Sequence, residues 1–343
     1  QNTSNAASTL TAPDSWVGWS CGSNGTYNLS DGTVNASGLL GVGRQGATGE
    51  FNQDGGTVNA NSQVRIGDGG GSNATYNMNA GTLNQTNGDF RIGNAGSTGE
   101  FNQTGGTVNT NLANAGNGNW TFVSVGGGSN GTLNLSGGTF DADNSTLFAV
   151  GQAGGTGVVN QNTNDGPSTL NARELWVGWS GGSNGTYNLS NGTVTADGNL
   201  GVGREGGTGL FNQDGGSVVA SANVILGQNG AATGTYDISG GSLTVSNDLI
   251  VGGTANGNLI VSGGTVTTPD LIVGQSGTGV GTITQTGGVI NVTNPSTHTV
   301  ADGGAGTVNH SGGVTNVVGN MNIGTGTGTG IYNLSGAGEL DFL

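Results

Sequence analysis

The chain has 343 residues, 76 of them Gly, with 31% hydrophobic and only 7% charged residues. Five Arg, no Lys and 20 Asp or Glu give a formal charge of -15, which repels phosphate backbones and sets nucleic acid aside as a partner. A single Cys excludes an internal disulfide, and no apolar run approaches the roughly 18 residues of a membrane span, so no transmembrane segment is expected in this chain.

So small an apolar fraction suits a disordered chain when the sequence is aperiodic. Here it is periodic. An aliphatic residue followed by a small one recurs at Val17-Gly18, Val42-Gly43, Ile66-Gly67, Ile92-Gly93, Val125-Gly126, Val150-Gly151, Val177-Gly178, Val202-Gly203, Leu226-Gly227, Val251-Gly252, Val273-Gly274, Val300-Ala301 and Ile323-Gly324. Spacings of 22 to 33 residues are the signature of a solenoid. A coil of about 25 residues needs few inward side chains, because its narrow core is shared with its neighbours. The expectation is an all-β, right-handed parallel β-solenoid (β-helix) of about 13 coils with three short strands each, forming one domain over 1–343; right-handedness follows from the crossover rule.

The chain opens with a partial coil at 1–12, since Ser8 to Ala12 match Ser168 to Ala172 in a third strand. A start at Gln1 suits a processed, exported chain. In the first coil Trp16 lies between inward Ser15 and Val17 and should point outward, while Trp19 begins a corner. Cys21 stands opposite Gly181 in an internal match, residues 8–67 against 168–227, in which 41 of 60 positions are identical. It reads as an inert turn substitution, or as a thiol that is reactive or forms an intermolecular disulfide. Arg65 and Arg91 follow in the outward column of Trp16 and should pair with nearby carboxylates.

The second strand of each coil begins its inward face with Tyr27, Phe51, Tyr76, Phe101 and their successors, apolar throughout. The next position is Asn28, Asn52, Asn77, Asn102, Asn134, Asn160, Asn188 and Asn212, then, after Asp237, Ile260 and Thr284, Asn309 and Asn333. Parallel coils about 4.8 Å apart would let these amides bond along the axis as a structural ladder. One position further, Leu29, Gln53, Met78, Gln103, Leu135, Gln161, Leu189 and Gln213 alternate. Glutamines two coils apart cannot ladder, so each needs a corner partner if it points inward.

Residues 111–120, NLANAGNGNW, form an insertion expected to protrude as a loop or thicken the coil, with Trp120 folding it back. The stretch LWVGWSGGSNGTYNLSNGTVTA at 175–196 shows the unit as three alternating runs separated by Gly and Asn corners. It repeats the tryptophan pair as Trp176 and Trp179. Three readings of Trp16, Trp19, Trp176 and Trp179 stand together: a protein interface, a glycan-binding face, or shielding of the corners.

GTYNLSDGTV at 25–34, GEFNQDGGTV at 49–58 and GTLNLSGGTF at 131–140 resemble the repeats of bacterial autotransporter passengers and PEP-CTERM-associated surface proteins, over nearly the whole chain. The resemblance implies a right-handed parallel β-solenoid, exported and displayed at or beyond a bacterial outer membrane.

Catalytic solenoids need carboxylates converging with Lys, Arg or His. Here Asp31, Asp54 and Asp214 lie singly on successive corners, and His298 and His310 fill places held elsewhere by Leu, Met, Phe or Gln. No cofactor, metal or enzymatic activity is expected. The reading is a secreted structural protein whose subunits stack end to end into an extracellular filament or surface layer, through Gln1, Thr9, Leu10, Leu340, Phe342 and Leu343. Its partners would be copies of itself and extracellular polysaccharide. The alternative is a monomeric cell-surface adhesin or carbohydrate-binding passenger domain.

Overall fold

In the computed structural model, which describes residues 8–113 and 119–343, the chain is a parallel β-solenoid of about 13 coils with three strands per coil. No helix occurs among the described residues. One coil shows the logic. Its first strand, Leu175–Trp179, is buried over its first four residues; its second, Asn184–Leu189, alternates, with Gly185, Tyr187 and Leu189 inside; its third, Thr193–Ala196, buries Val194 and Ala196.

The corner after the first strand explains the aliphatic-Gly pairs. Gly178 sits at φ +73°, and a Cβ there would lie 2.1 Å from the Thr208 carbonyl oxygen of the next coil, so both conformation and space favour Gly. Two coils manage without it, with Ser124 at φ +70° and Ala301 at φ +71°. Ser124 also corrects one sequence pairing. Ile92 registers with Val123, so Val123-Ser124 takes the place expected for Val125-Gly126, and Gly126 belongs to the following turn. The extra residues of that coil hid the shift.

By internal contacts the chain divides into two units, Gln1–Arg173 and Glu174–Leu343. The first unit holds six first strands, from Ser15–Val17 to Leu147–Gln152; the second holds seven, from Leu175–Trp179 to Asn320–Thr325. Within each unit, equivalent strands of successive coils pair in parallel, as with Tyr27 to Phe51 to Tyr76 and Tyr187 to Phe211 to Tyr236. In the last two coils the second and third strands merge into Ala305–Val317 and Thr329–Phe342.

Aromatic rings stack along the core at the coil repeat. Phe51 and Tyr76 have centroids 4.7 Å apart, Tyr76 and Phe101 4.9 Å, and Tyr187 and Phe211 4.6 Å, each pair within 4° of parallel. The insertion at 111–120 is described only at its edges, and residues 114–118 lie outside the described residues. Trp120 packs edge-on against Phe122, and its amide donates to Asp89 Oδ1 at 3.0 Å. Beside it, buried Thr110, Thr121 and Ser145 satisfy one another through hydroxyl contacts of 2.8 to 3.3 Å, with Thr121 standing where the neighbouring coils carry Phe90 and Phe148.

Candidate functional site

The expected Asn ladder forms. Asn52, Asn77, Asn102, Asn134 and Asn160 each donate Nδ2 to the Oδ1 of the Asn one coil earlier, at 2.7 to 2.9 Å, starting from Asn28. In the second unit Asn212 donates to Asn188 and Asn333 to Asn309, both at 2.9 Å. A second ladder was not foreseen. Asn59, Asn84 and Asn109 donate backwards along the third strands to Asn35, Asn59 and Asn84, and Asn316 donates to Asn291. Its signal is the Asn at the third position of these strands, in TVN at 33–35, 57–59 and 107–109 and in TLN at 82–84.

The alternating glutamines point inward, and Gln53, Gln103 and Gln213 are fully buried. Gln53 Nε2 donates to the carbonyls of Gly56 and Thr82, and its Oε1 accepts the hydroxyl of Tyr76, one coil later, at 2.6 Å. Gln213 and Tyr236 repeat this at 2.7 Å. A Phe–Gln coil and the tyrosine coil that follows it, with Met78 or Ile238 in the glutamine's place, are therefore halves of one device: the glutamine ties the corner, and the next tyrosine completes its amide. Burial raises the pKa of Tyr76 and Tyr236 well above the ordinary phenol value, so both hydroxyls remain donors. After Gln103 the next coil carries Leu133, and Gln103 Oε1 is left buried without a hydrogen-bond partner.

His310 imitates a glutamine. Its Nε2 lies 3.0 Å from the Gly313 carbonyl and must carry the hydrogen, leaving Nδ1 to accept from the Tyr332 hydroxyl at 3.0 Å. His298 Nε2 likewise lies 3.0 Å from the carbonyls of both Asn294 and Val318, with Nδ1 3.4 Å from Asp270 Oδ1. Both rings are buried and committed to backbone. Among the described residues no three His, Cys, Asp or Glu side chains are grouped to hold a metal. Nor is any helix there long and apolar enough to cross a membrane.

The four tryptophans form two clamps, one per unit, each closed by the next coil. Trp16 lies flat on Gly41, where a Cβ would come within 2.2 Å of its ring, and Trp176 lies on Gly201, where the distance would be 1.9 Å. Arg44 stands 5.1 Å above Trp16 and 4.3 Å above Trp19; Arg204 stands 4.5 Å above Trp176 and 5.5 Å above Trp179. Glu174 and Glu205 accept the indole N–H groups of Trp176 and Trp179. The four rings are not equally wet. Trp176 is outward by alternation yet only 1% exposed, covered by its clamp, whereas Trp19 is 51% exposed. Arg65 and Arg91 pair with Asp68 and Asp89 at 2.8 and 2.6 Å, as their column suggested.

The terminal coils are the remaining site. In the last coil Ile323 registers with buried Val300, Tyr332 with Val308, Leu334 with His310, Leu340 with Thr315 and Phe342 with Val317. These inward positions are open at the end: Ile323 and Leu334 are 51% exposed and Phe342 57%, and Leu343 beyond the strand is 76% exposed. At the other end Leu10, Ala12, Val17 and Tyr27 register with buried Val34, Ala36, Val42 and Phe51. Leu10 and Thr9 are exposed there, and an open hollow bordered by Leu10, Ser15, Val17 and Tyr27 reaches Val34, Leu40 and Phe51 of the next coil. Gln1 lies outside the described residues. Comparisons with protein-family models, curated proteins and solved structures found no match.

Proposed function

We propose that the protein is a secreted, structural rather than catalytic β-solenoid whose subunits stack end to end into an extracellular filament or surface layer. The carrying observation is that among the described residues Leu10, Ile323, Leu334 and Phe342, inward by register, are exposed, while the coils between them bury the same positions. An end strand directs about half of its backbone groups away from the molecule, and another coil satisfies them and covers the apolar cross-section together. The Asn ladders and stacked rings are axial and extend into any coil added in register. Resemblance of the repeats to autotransporter passengers and PEP-CTERM-associated proteins supports export and surface display.

The test is growth of the purified full chain with concentration, followed by light scattering and negative-stain imaging. Elongated assemblies are expected, and Leu10→Asp or Phe342→Asp should each suppress them while circular dichroism stays unchanged, because each places a carboxylate in the joint. A chain that stays monomeric at high concentration would overturn the proposal. The second reading, a monomeric adhesin or carbohydrate-binding passenger, is favoured by half-exposed Trp19 beside Arg44. It requires retention on acidic or neutral polysaccharide that Trp19→Ser abolishes.

A further inference from the structure

Given end-to-end stacking, on which this inference rests, we propose that the joint is polar and strand-for-strand: the coil ending at Phe342 of one copy receives the coil beginning at Thr9 of the next, in the register of the interior coils. Three features carry it. The first is the fit of large to small. Ser15 occupies an inward position filled by Leu40, Val64 and Phe90 in the following coils. Ser15 lies on the wall of the hollow at that end. In the last coil the equivalent residue is Met321, in register with buried His298, and its long unbranched side chain suits an irregular gap. By the same register Phe342 comes over Ala12, and Leu340 over Leu10.

The second feature is continuity of strands. The first unit begins with a third strand, Thr9–Ala12, followed by a first strand, Ser15–Val17, and a second, Asn24–Leu29. The last coil offers one strand of each kind, with the second and third merged. Every strand of one end therefore has a parallel partner on the other.

Charge supplies the third. Outward Glu339 and Asp341 on the last strand would face Thr9 and Thr11, whereas a two-fold joint of last coil on last coil would set these carboxylates against their own copies. A head-to-tail contact of this kind is heterologous and propagates wherever its rotation does not close a ring.

The register is read by cysteine pairs in a Cys21→Ser background. Thr26 and Ile331 are outward, exposed and directly opposed in the proposed joint. Parallel neighbours about 4.8 Å apart fall within disulfide range. Thr26→Cys with Ile331→Cys should give a ladder of covalent multimers on oxidation. Thr26→Cys with Thr329→Cys, displaced by two residues or about 6.6 Å along the strand, should give none. Elongated assemblies that crosslink only through the displaced pair, or through neither, would overturn the register while leaving stacking intact. Failure of the Cys21→Ser parent to elongate would overturn stacking itself. As a second measurement, Ser15→Leu restores the residue of the next coil and should raise the critical concentration for elongation several-fold; an unchanged value would overturn the fit of Met321.

Discussion

Single residues in this chain are judged by what stands one coil away. Asp237 shows it: the position belongs to the Asn ladder, with Asn212 before it and Ile260 after. A carboxylate cannot donate to Asn212 Oδ1 as an amide does. Burial first, and Asp214 second, raise the pKa of Asp237, so its ionised form is disfavoured in the folded chain. The stability this group supports is complete below its unfolded pKa and is lost as pH rises through the elevated folded value. Asp237→Asn should therefore stabilise the protein at pH 7, by up to about 1 kcal/mol for one hydrogen bond gained. The gain should shrink as pH falls towards the carboxyl range; thermal melts across pH check this, and a gain that grows on acidification would contradict it. The Tyr–Gln device has a sharper test. Tyr76→Phe orphans Gln53 Oε1 and should cost about 1–3 kcal/mol in chemical denaturation, whereas adding Gln53→Leu should recover part of that loss. The sequence displays the alternation of Leu and Gln openly. Its cause was illegible because Tyr76 and Gln53 lie 23 residues apart and meet only once the coil closes.

At the level of the strand, period-two alternation revealed which residues face the core, and the structure keeps that assignment for Tyr187, Leu189, Val194 and Ala196. What alternation cannot reveal is whether an outward residue is wet. Trp176 alternates outward yet is covered, because the following strand supplies Gly201, which leaves room for the ring, and Arg204, which closes over it. The usable signal was the pairing of a Trp-bearing strand with LGVGR one coil later, at Gly41 and Arg44 and again at Gly201 and Arg204. Such a cation–π contact contributes about 0.5–1 kcal/mol when exposed and more when desolvated. Trp176→Ser should lower stability by about 3 kcal/mol, within the usual range for removing a buried aromatic. Trp19→Ser should change it by less than about 1 kcal/mol. Equal effects in denaturant melts would show that the clamp does not distinguish the two rings. The slip of register at Val123 has a comparable origin, since the coil around 111–120 departs from the repeat length that located its neighbours.

The molecule as a whole has a stability that is a sum over coils and the interfaces between them, and this sets where it opens first. An interior coil such as that of Phe211, Gln213 and Val218 is paired on both sides and buries all three side chains. The coil of Asn320–Thr325 and Thr329–Phe342 is paired on one side, with Ile323, Leu334 and Phe342 about half exposed. Local opening should be easiest there and in Thr9–Ala12 and Ser15–Val17, whose edges are equally open. In dilute, unassembled protein, amides of these strands should exchange with deuterium at least tenfold faster than those of Thr208–Gln213 and Thr233–Ile238. Stacking adds the missing interface, so assembly should slow exchange at both ends and leave the interior unchanged. Protection gained at one end alone would mean that copies meet through like ends rather than head to tail. Protection gained instead around Trp19 and Arg44 would mean that they associate side by side through the clamp face, because the end coils would then remain as open in the assembly as in solution.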